Sequence, residues 1–399
     1  MLSLAVFLPI VCGLLLLLLG RRVSHRARQV LVETVTVVTS LLVLFCLLNR
    51  RGTVYTPFFL LQNLPIRFAI DGVGSVFTAI VAFLWPLAAL YGFEYMEHEG
   101  GENHFFALYT VTYGVTLGIS TAANILTLYF FYEFLTLCTL PLVMHGTQKP
   151  SEHAGYTYML YSFFGAALAF IGVMLVLNYG DGGAFTMGGV MAQAAAEHPT
   201  MVQLGYLCAF LGFGVKAAVF PFHVWLPEAS VAPTPVTALL HAVAVVKSGV
   251  FAIIRVTYFS FGAQVLRGTA AQSIALLLAS VTIVYGSTMA VKEHHFKRRL
   301  AYSTVSNLSY IVLAASLMTQ SGLTASLAHM LFHALIKITL FFCAGAVMVK
   351  TGRTQVEDLR GLPRHAVHLR GVYRRRDFAD GHAAAAGLCE QVAYRLGGD

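Results

Sequence analysis

The chain has 399 residues, of which 57% are hydrophobic and 11% charged, with a formal net charge of +8. A soluble domain is about 45–50% apolar and about 25% charged, so these values exclude an ordinary soluble globular protein and leave a polytopic membrane protein. The basic residues sit in short loops and in the tail rather than on one face, which excludes a nucleic-acid surface.

A bilayer crossing needs about 20 mostly apolar residues. Eleven windows meet that length, at 2–20, 30–48, 70–92, 105–122, 124–145, 156–178, 202–226, 234–258, 270–291, 300–319 and 324–349. They predict an all-α bundle, because the strands of a membrane barrel would show short alternating segments instead. The first window lacks a basic leader and an A-x-A cleavage site and is expected to be a retained helix. The seventh is expected to break near Pro221, where Pro221, Pro227, Pro233 and Pro235 cluster in FPFHVWLPEASVAPTPVTALLH. Each proline removes a backbone donor, and discontinuous helices commonly line mid-membrane sites. Trp225 can anchor that segment at an interface, with Glu228 just beyond.

Loop charge sets the sides. Arg21, Arg22, Arg26 and Arg28 follow the first helix, and Lys149 follows the fifth. Lys292, Lys297, Arg298 and Arg299 follow the ninth, and Lys350, Arg353, Arg360 and Arg364 follow the eleventh. The opposite loops hold only Arg50, Arg51, Arg67, Arg255 and Arg267. The positive-inside rule puts the first group in the cytoplasm and the N-terminus outside. The acidic loop from Glu94 to Glu102 dilutes the pattern, but acidic residues carry little weight in the rule.

Six cysteines, Cys12, Cys46, Cys138, Cys208, Cys343 and Cys389, lie far apart with no metal-ligand spacing, and they read as small buried hydrophobes. There is no G-x-G-x-x-G and no P-loop. No cofactor or metal site is therefore expected, and redox or nucleotide chemistry is expected on other subunits.

With loop residues removed, the intramembrane ionisable groups singled out are Glu133, Lys216, Lys247 and Lys337, joined by His241, His329 and His333. A lone charge at the bilayer centre costs at least about 2.5–3.5 kcal/mol. Lys216, in LGYLCAFLGFGVKAAVFPF, reads as lying mid-helix five residues before Pro221. Burial favours its neutral amine, and a nearby carboxylate would restore the charge. Glu133, nine residues after Asn124 in ILTLYFFYEFLTLCTL, is the candidate partner. Such a pair is a two-state element, since the lysine holds its proton when paired and releases it when unpaired. A static buried ion pair is the plainer alternative. His241 and Lys247 are six residues apart in ALLHAVAVVKSGVF and point to different neighbours. His329, His333 and Lys337 follow i, i+4, i+8 in AHMLFHALIKITLFF, one stripe of a helix. A histidine can pass protons near neutral pH, so the stripe reads as a polar path along the membrane plane, with packing histidines as the alternative.

The run VKAAVFPFHVWLPEASVAPTPVTALLHAVAVVKSGVFAIIR resembles the antiporter-like subunits of respiratory complex I, of membrane-bound hydrogenases and of Mrp-type cation/proton antiporters. The resemblance continues through NILTLYFFYEFLTL, KRRLAYSTVSNLSYI and HMLFHALIKITLFFCAGAVMVKTGRTQVEDLRGLPR, and covers about residues 65–364. It implies fourteen core helices with two inverted five-helix repeats. By position, Glu133 matches the family's fifth-helix Glu and Lys216 its seventh-helix Lys. His241 and Lys247 match positions linking the half-channels, and His329, His333 and Lys337 match the eleventh-helix relay. The expected divisions are 1–104 (three N-terminal helices), 105–258 (first repeat), 259–364 (start of the second repeat) and 365–399 (aberrant tail).

After Arg364 the chain carries five Arg and no apolar span, where the family continues into a twelfth helix with a second Lys. Read one base later, the codons for Gly381 to Cys389 permit Gly-Met-Pro-Leu-Pro-Pro-Gly-Phe-Val, and those for Glu390 to Val392 permit Ser-Lys-Trp. This resembles the missing twelfth-helix motif and implies a frameshift near codon 364. An unrelated tail of a short isoform is the alternative.

The sequence thus implies a proton- or cation/proton-translocating membrane-arm subunit without redox centres of its own. Its expected partners are other membrane-arm and redox subunits and the lipid bilayer, with no nucleic acid, in the inner membrane of a prokaryote. Three forms compete: a redox-driven pump subunit of a complex I-like or hydrogenase complex, an Mrp-type Na⁺/H⁺ antiporter subunit, and a truncated, non-transporting scaffold.

Overall fold

The structure is a computed structural model that describes residues 1–19, 23–49, 52–61, 64–145, 149–180 and 183–359. The tail at 365–399 lies outside the described residues. In chain order the bundle begins with α1 (Leu2–Leu19) and α2 (His25–Asn49), then a two-stranded antiparallel sheet of β1 (Tyr55–Leu61) and β2 (Leu64–Phe68). Four long helices follow: α3 (Gly72–Glu99), α4 (Glu102–Ser120), α5 (Ile125–Val143) and α6 (Lys149–Tyr179). The short α7 (Ala192–Glu197) leads into α8 (Pro199–Lys216), then α9 (Trp225–Glu228) and α10 (Thr234–Ala238). The chain continues through α11 (Val245–Arg255), α12 (Ala263–Leu266), α13 (Ala270–Lys292), α14 (Phe296–Ser316) and α15 (Gln320–Thr351).

Each of the eleven apolar windows lies largely on helix, the seventh interrupted between Lys216 and Trp225. Among the described residues eight helices are long and apolar enough to cross a membrane, and those over the fourth, seventh and tenth windows fall short of that measure. The sheet lies between the second and third windows, where no element was expected. Local chemistry fixes several starts. The side chains of Asp71, Asn124, Thr269 and Thr319 accept hydrogen bonds from the amides of Gly74, Thr127, Gln272 and Gly322, satisfying donors that a helix N-terminus leaves free.

The segment Thr234–Phe261 is wholly buried, whereas only 22% of the Ala270–Lys292 span is. The former is therefore the axis of the bundle, and α13 belongs to its rim. The helices α6 and α8 pack closely because they meet through small residues: a Cβ on Gly165 would lie 2.9 Å from the Gly212 carbonyl oxygen.

Three loop assignments are corrected, the first being Arg28, which lies buried within α2 and pairs with Glu102. Arg255 is not a surface charge. It is buried at the end of α11 and makes a bidentate ion pair with Asp71, the N-cap of α3, with Nη2 2.7 Å from Oδ1. Its guanidinium also lies 4.8–5.1 Å from the ring centres of Phe185, Phe251 and Phe259. Lys297 is likewise buried, in the first turn of α14.

Candidate functional site

The break after α8 positions the first lysine. The helix ends at Lys216 and resumes only at Trp225, with Pro221 inside the break, so this lysine terminates a half-helix rather than lying in mid-helix. Ala218 adopts φ +56°, a left-handed conformation that stops the α-helix. The carbonyls freed there find other donors: Trp225 Nε1 donates to Val215 O (2.8 Å), Val219 N to Gly214 O (2.9 Å) and Tyr132 OH to Phe213 O (3.2 Å). An ammonium at Lys216 thus sits at the negative end of the half-helix dipole.

Lys216 is buried. Its Nζ donates to the Tyr132 carbonyl and lies over the Tyr132 ring, 3.4 Å from the centroid. Glu133 is the next residue along α5. Its Oε1 is buried without a hydrogen-bond partner, and it makes no direct ion pair with Lys216. Lys216 Nζ is nonetheless held at the backbone of Tyr132, one residue before Glu133. The structure therefore holds the lysine on the Tyr132 backbone and ring, without an ion pair to Glu133.

The axis helix meets the break directly. A Cβ on Gly249 would lie 2.8 Å from the Lys216 carbonyl carbon, so only glycine lets α11 pass this close. One turn earlier the backbone is π-helical over Leu239–Val243, with Ala244 N donating to Leu239 O (2.9 Å). Such turns often mark functional positions. His241 lies within this turn, fully buried, with neither ring nitrogen hydrogen-bonded, and packs on Phe341 at 4.8 Å between centroids.

Lys247 donates to Nδ1 of His333, which joins the axis to α15. The expected stripe on α15 is present. The rings of His329 and His333 are 6.2 Å apart, and Lys337 donates to Ser303 Oγ (2.9 Å) and Leu300 O (3.1 Å) on α14. His333 and Lys337 are buried, His329 is half-buried, and the Nε2 atoms of both histidines lack partners. His241 also feels the charge of Lys337.

Six of the seven residues singled out from the sequence thus form two buried neighbourhoods: Glu133 with Lys216, and His241, Lys247, His333 and Lys337. His329 extends the second at its edge. Each group can hold or release a proton. The unpartnered imidazole nitrogens and the orphan carboxylate oxygen are positions where a proton or a bridging water can bind.

Sequence reasoning missed three charges. Lys297 and Arg255 stand at the ends of apolar windows, where a basic residue reads as a loop charge. Glu33, with Oε2 buried and unpartnered, lies inside the α2 span and was passed over. Its position within a window already marks it as an intramembrane carboxyl.

Similarity to known proteins agrees with this architecture. The family described as NADH:quinone oxidoreductase/Mrp antiporter, TM, matches residues 122–367. The chain is 29% identical over 294 residues to the chloroplast NAD(P)H-quinone oxidoreductase subunit 5 of Phaseolus vulgaris, covering 72% of this chain and 38% of that protein. It is 32% identical over 305 residues to a component of a probable K⁺/H⁺ antiporter of Rhizobium meliloti, covering 75% of this chain and 29% of that protein. The chain therefore spans well under half the length of these relatives.

Among solved structures, a chain of the Mrp complex from Dietzia sp. superposes with a TM-score of 0.78 at 25% identity, covering 88% of this chain and 38% of that one. A chain of an archaeal membrane-bound sulfane sulfur reductase gives 0.80 at 22% identity, covering 100% and 82%. One of Thermus thermophilus respiratory complex I gives 0.75 at 23% identity, covering 100% and 87%. The last two establish the fold. With the family match extending over more than half of its length and the same polytopic helix bundle, the chain belongs to the NADH:quinone oxidoreductase/Mrp antiporter transmembrane family.

Proposed function

We propose that this chain is a proton- or cation/proton-translocating membrane-arm subunit working within a larger membrane complex. The observation that carries this reading is the series of buried and half-buried ionisable groups on the axis segment and on the helices packed around it, α5, α8 and α15. Intramembrane ionisable residues are rare and costly, and their clustering marks an ion pathway by default. In this reading Glu133 and Lys216 form the switchable pair. His241 and Lys247 connect it to the second half, and His333, His329 and Lys337 relay protons onward. All eleven windows cross the bilayer, the basic loops face the cytoplasm and the N-terminus lies outside. The first repeat comprises 105–258 and the second begins at 259. The membrane is the inner membrane of a prokaryote, and residues 365–399 are read out of frame.

Two driving forces fit. Redox partners would make the chain part of a pump, and a counter-ion gradient would make it part of an antiporter. The 32% identity to a component of a probable K⁺/H⁺ antiporter favours the second. The intact complex in sealed vesicles with an internal pH dye tests both. A pH change on adding an electron donor supports the pump, and one on adding Na⁺ or K⁺ supports the antiporter. No pH change with either would refute transport.

A further inference from the structure

We infer that Lys297 is a further proton-transfer residue of this chain, the port that joins its basic surface to His241 on the bundle axis. The inference rests on the transport reading above, but on residues that reading does not use.

Lys297 lies in the first turn of α14, at the end of the bundle that carries the basic loops, yet it is only 6% exposed. Its Nζ donates to the carbonyl of Ala232 (2.8 Å). That carbonyl belongs to the extended joint between the 3₁₀ turn Ala229–Val231 and α10. Pro233 and Pro235, which flank this joint, supply no amide donor. The same oxygen accepts from Thr237 Oγ1 (2.9 Å), whose hydroxyl is shared with the Pro233 carbonyl (3.0 Å). Two polar hydrogens therefore converge on one oxygen, which brings the ammonium and the hydroxyl within reach of a single bridging water.

Thr237 is one turn before His241 on the same helical segment, so it shares the face of that imidazole. Tyr95, one turn before Glu99 at the C-terminal end of α3, accepts from Thr234 Oγ1 (3.2 Å) at the same joint, and His295 is the N-cap of α14, two residues before Lys297. Glu99, Lys297, Thr237 and His241 are thus ordered from surface to axis, with His295 beside the entrance.

The transfer balances. The ammonium gives one proton to the water or hydroxyl beside it, and the Thr237 hydroxyl passes its own proton on as it accepts one. The imidazole becomes imidazolium. The neutral amine regains a proton from water held at Glu99. A purely structural lysine would only tie the proline-rich joint to α14, and any permanent donor of similar reach would do that.

Lys297→Arg separates the two roles, because arginine keeps the charge and the hydrogen bond but does not deprotonate in proteins. In the intact complex in sealed vesicles, Lys297→Arg is expected to assemble with its partners and translocate protons at a tenth of the wild-type rate or less. Wild-type translocation by this variant would overturn the inference. Should Lys297→Arg not assemble, Thr237→Val decides: a several-fold slower rate supports the port, and an unchanged rate overturns it. Lys216→Ala measured alongside keeps the outcomes distinct. If Lys216→Ala stops transport while Lys297→Arg does not, the port fails and the axis stands. If Lys216→Ala transports normally, the axis reading itself fails.

Discussion

Replacing Asp71 with Asn tests how the N-terminal helices are tied to the axis. The pair with Arg255 spans 184 residues of sequence and joins the start of α3 to the end of α11. Asn is as good an N-cap as Asp, so the bond from Gly74 N (2.7 Å) survives and only the charge is lost. Breaking a buried ion pair from one side costs about 3–5 kcal/mol, because the remaining charge is stranded. Arg255 is 1% exposed, but the Asp71 side chain is 38% exposed, so water screens part of the interaction. About 2 kcal/mol is the reasonable expectation.

The pH dependence has a definite sign. Burial pushes the Asp71 carboxyl up, but hydrogen bonds and charge from Arg255, with the Gly74 amide, outweigh it and hold the group below the usual carboxylate range. A depressed folded-state value stabilises above the unfolded value and is lost as pH falls through the folded one. Thermal unfolding of the purified protein in detergent should show Asp71→Asn melting several degrees below wild type at neutral pH, with the gap closing in acid below the ordinary carboxylate range. Adding Arg255→Met to Asp71→Asn should recover part of the loss, since no stranded charge remains. An Asp71→Asn variant as stable as wild type at neutral pH, or a gap that persists in acid, would refute the reasoning.

Two further outcomes follow from the fold and the tail. Ala218 holds φ +56° with a Cβ, which costs about 1–2 kcal/mol, and Ala218→Gly should remove that cost less the extra freedom of glycine in the unfolded chain. The melting temperature should rise by a degree or two for a net gain of roughly 0.5 kcal/mol, and a fall would show that Ala218 is not strained. Resequencing the DNA across codons 360–395 should give a shifted frame that encodes the twelfth-helix motif with its lysine. An early stop in that frame would dismiss the frameshift.

The helices were legible because a run of about 20 apolar residues has few other uses. The α15 stripe was legible because its i, i+4, i+8 spacing is a local property of one helix. Other features depend on distant partners and leave no local mark. Arg255 is buried only because Asp71 arrives from 184 residues earlier, and Lys297 only because the proline-rich joint folds over it. The break near Pro221 was legible because a proline cluster is conspicuous, but its first edge at Lys216 was not, because the residue that turns the chain there, Ala218, is ordinary in sequence. The expected Glu133–Lys216 contact is replaced by Tyr132, whose ring and carbonyl occupy the lysine.

The most direct test of the axis is the initial rate of proton uptake into inverted membrane vesicles carrying the intact complex, compared between wild type and Lys216→Ala. Lys216 contacts the Tyr132 ring and backbone, so partner co-purification shows separately whether the variant assembles. The account predicts an assembled Lys216→Ala complex whose uptake falls to the level of vesicles lacking the chain. An assembled complex that takes up protons at the wild-type rate would contradict it.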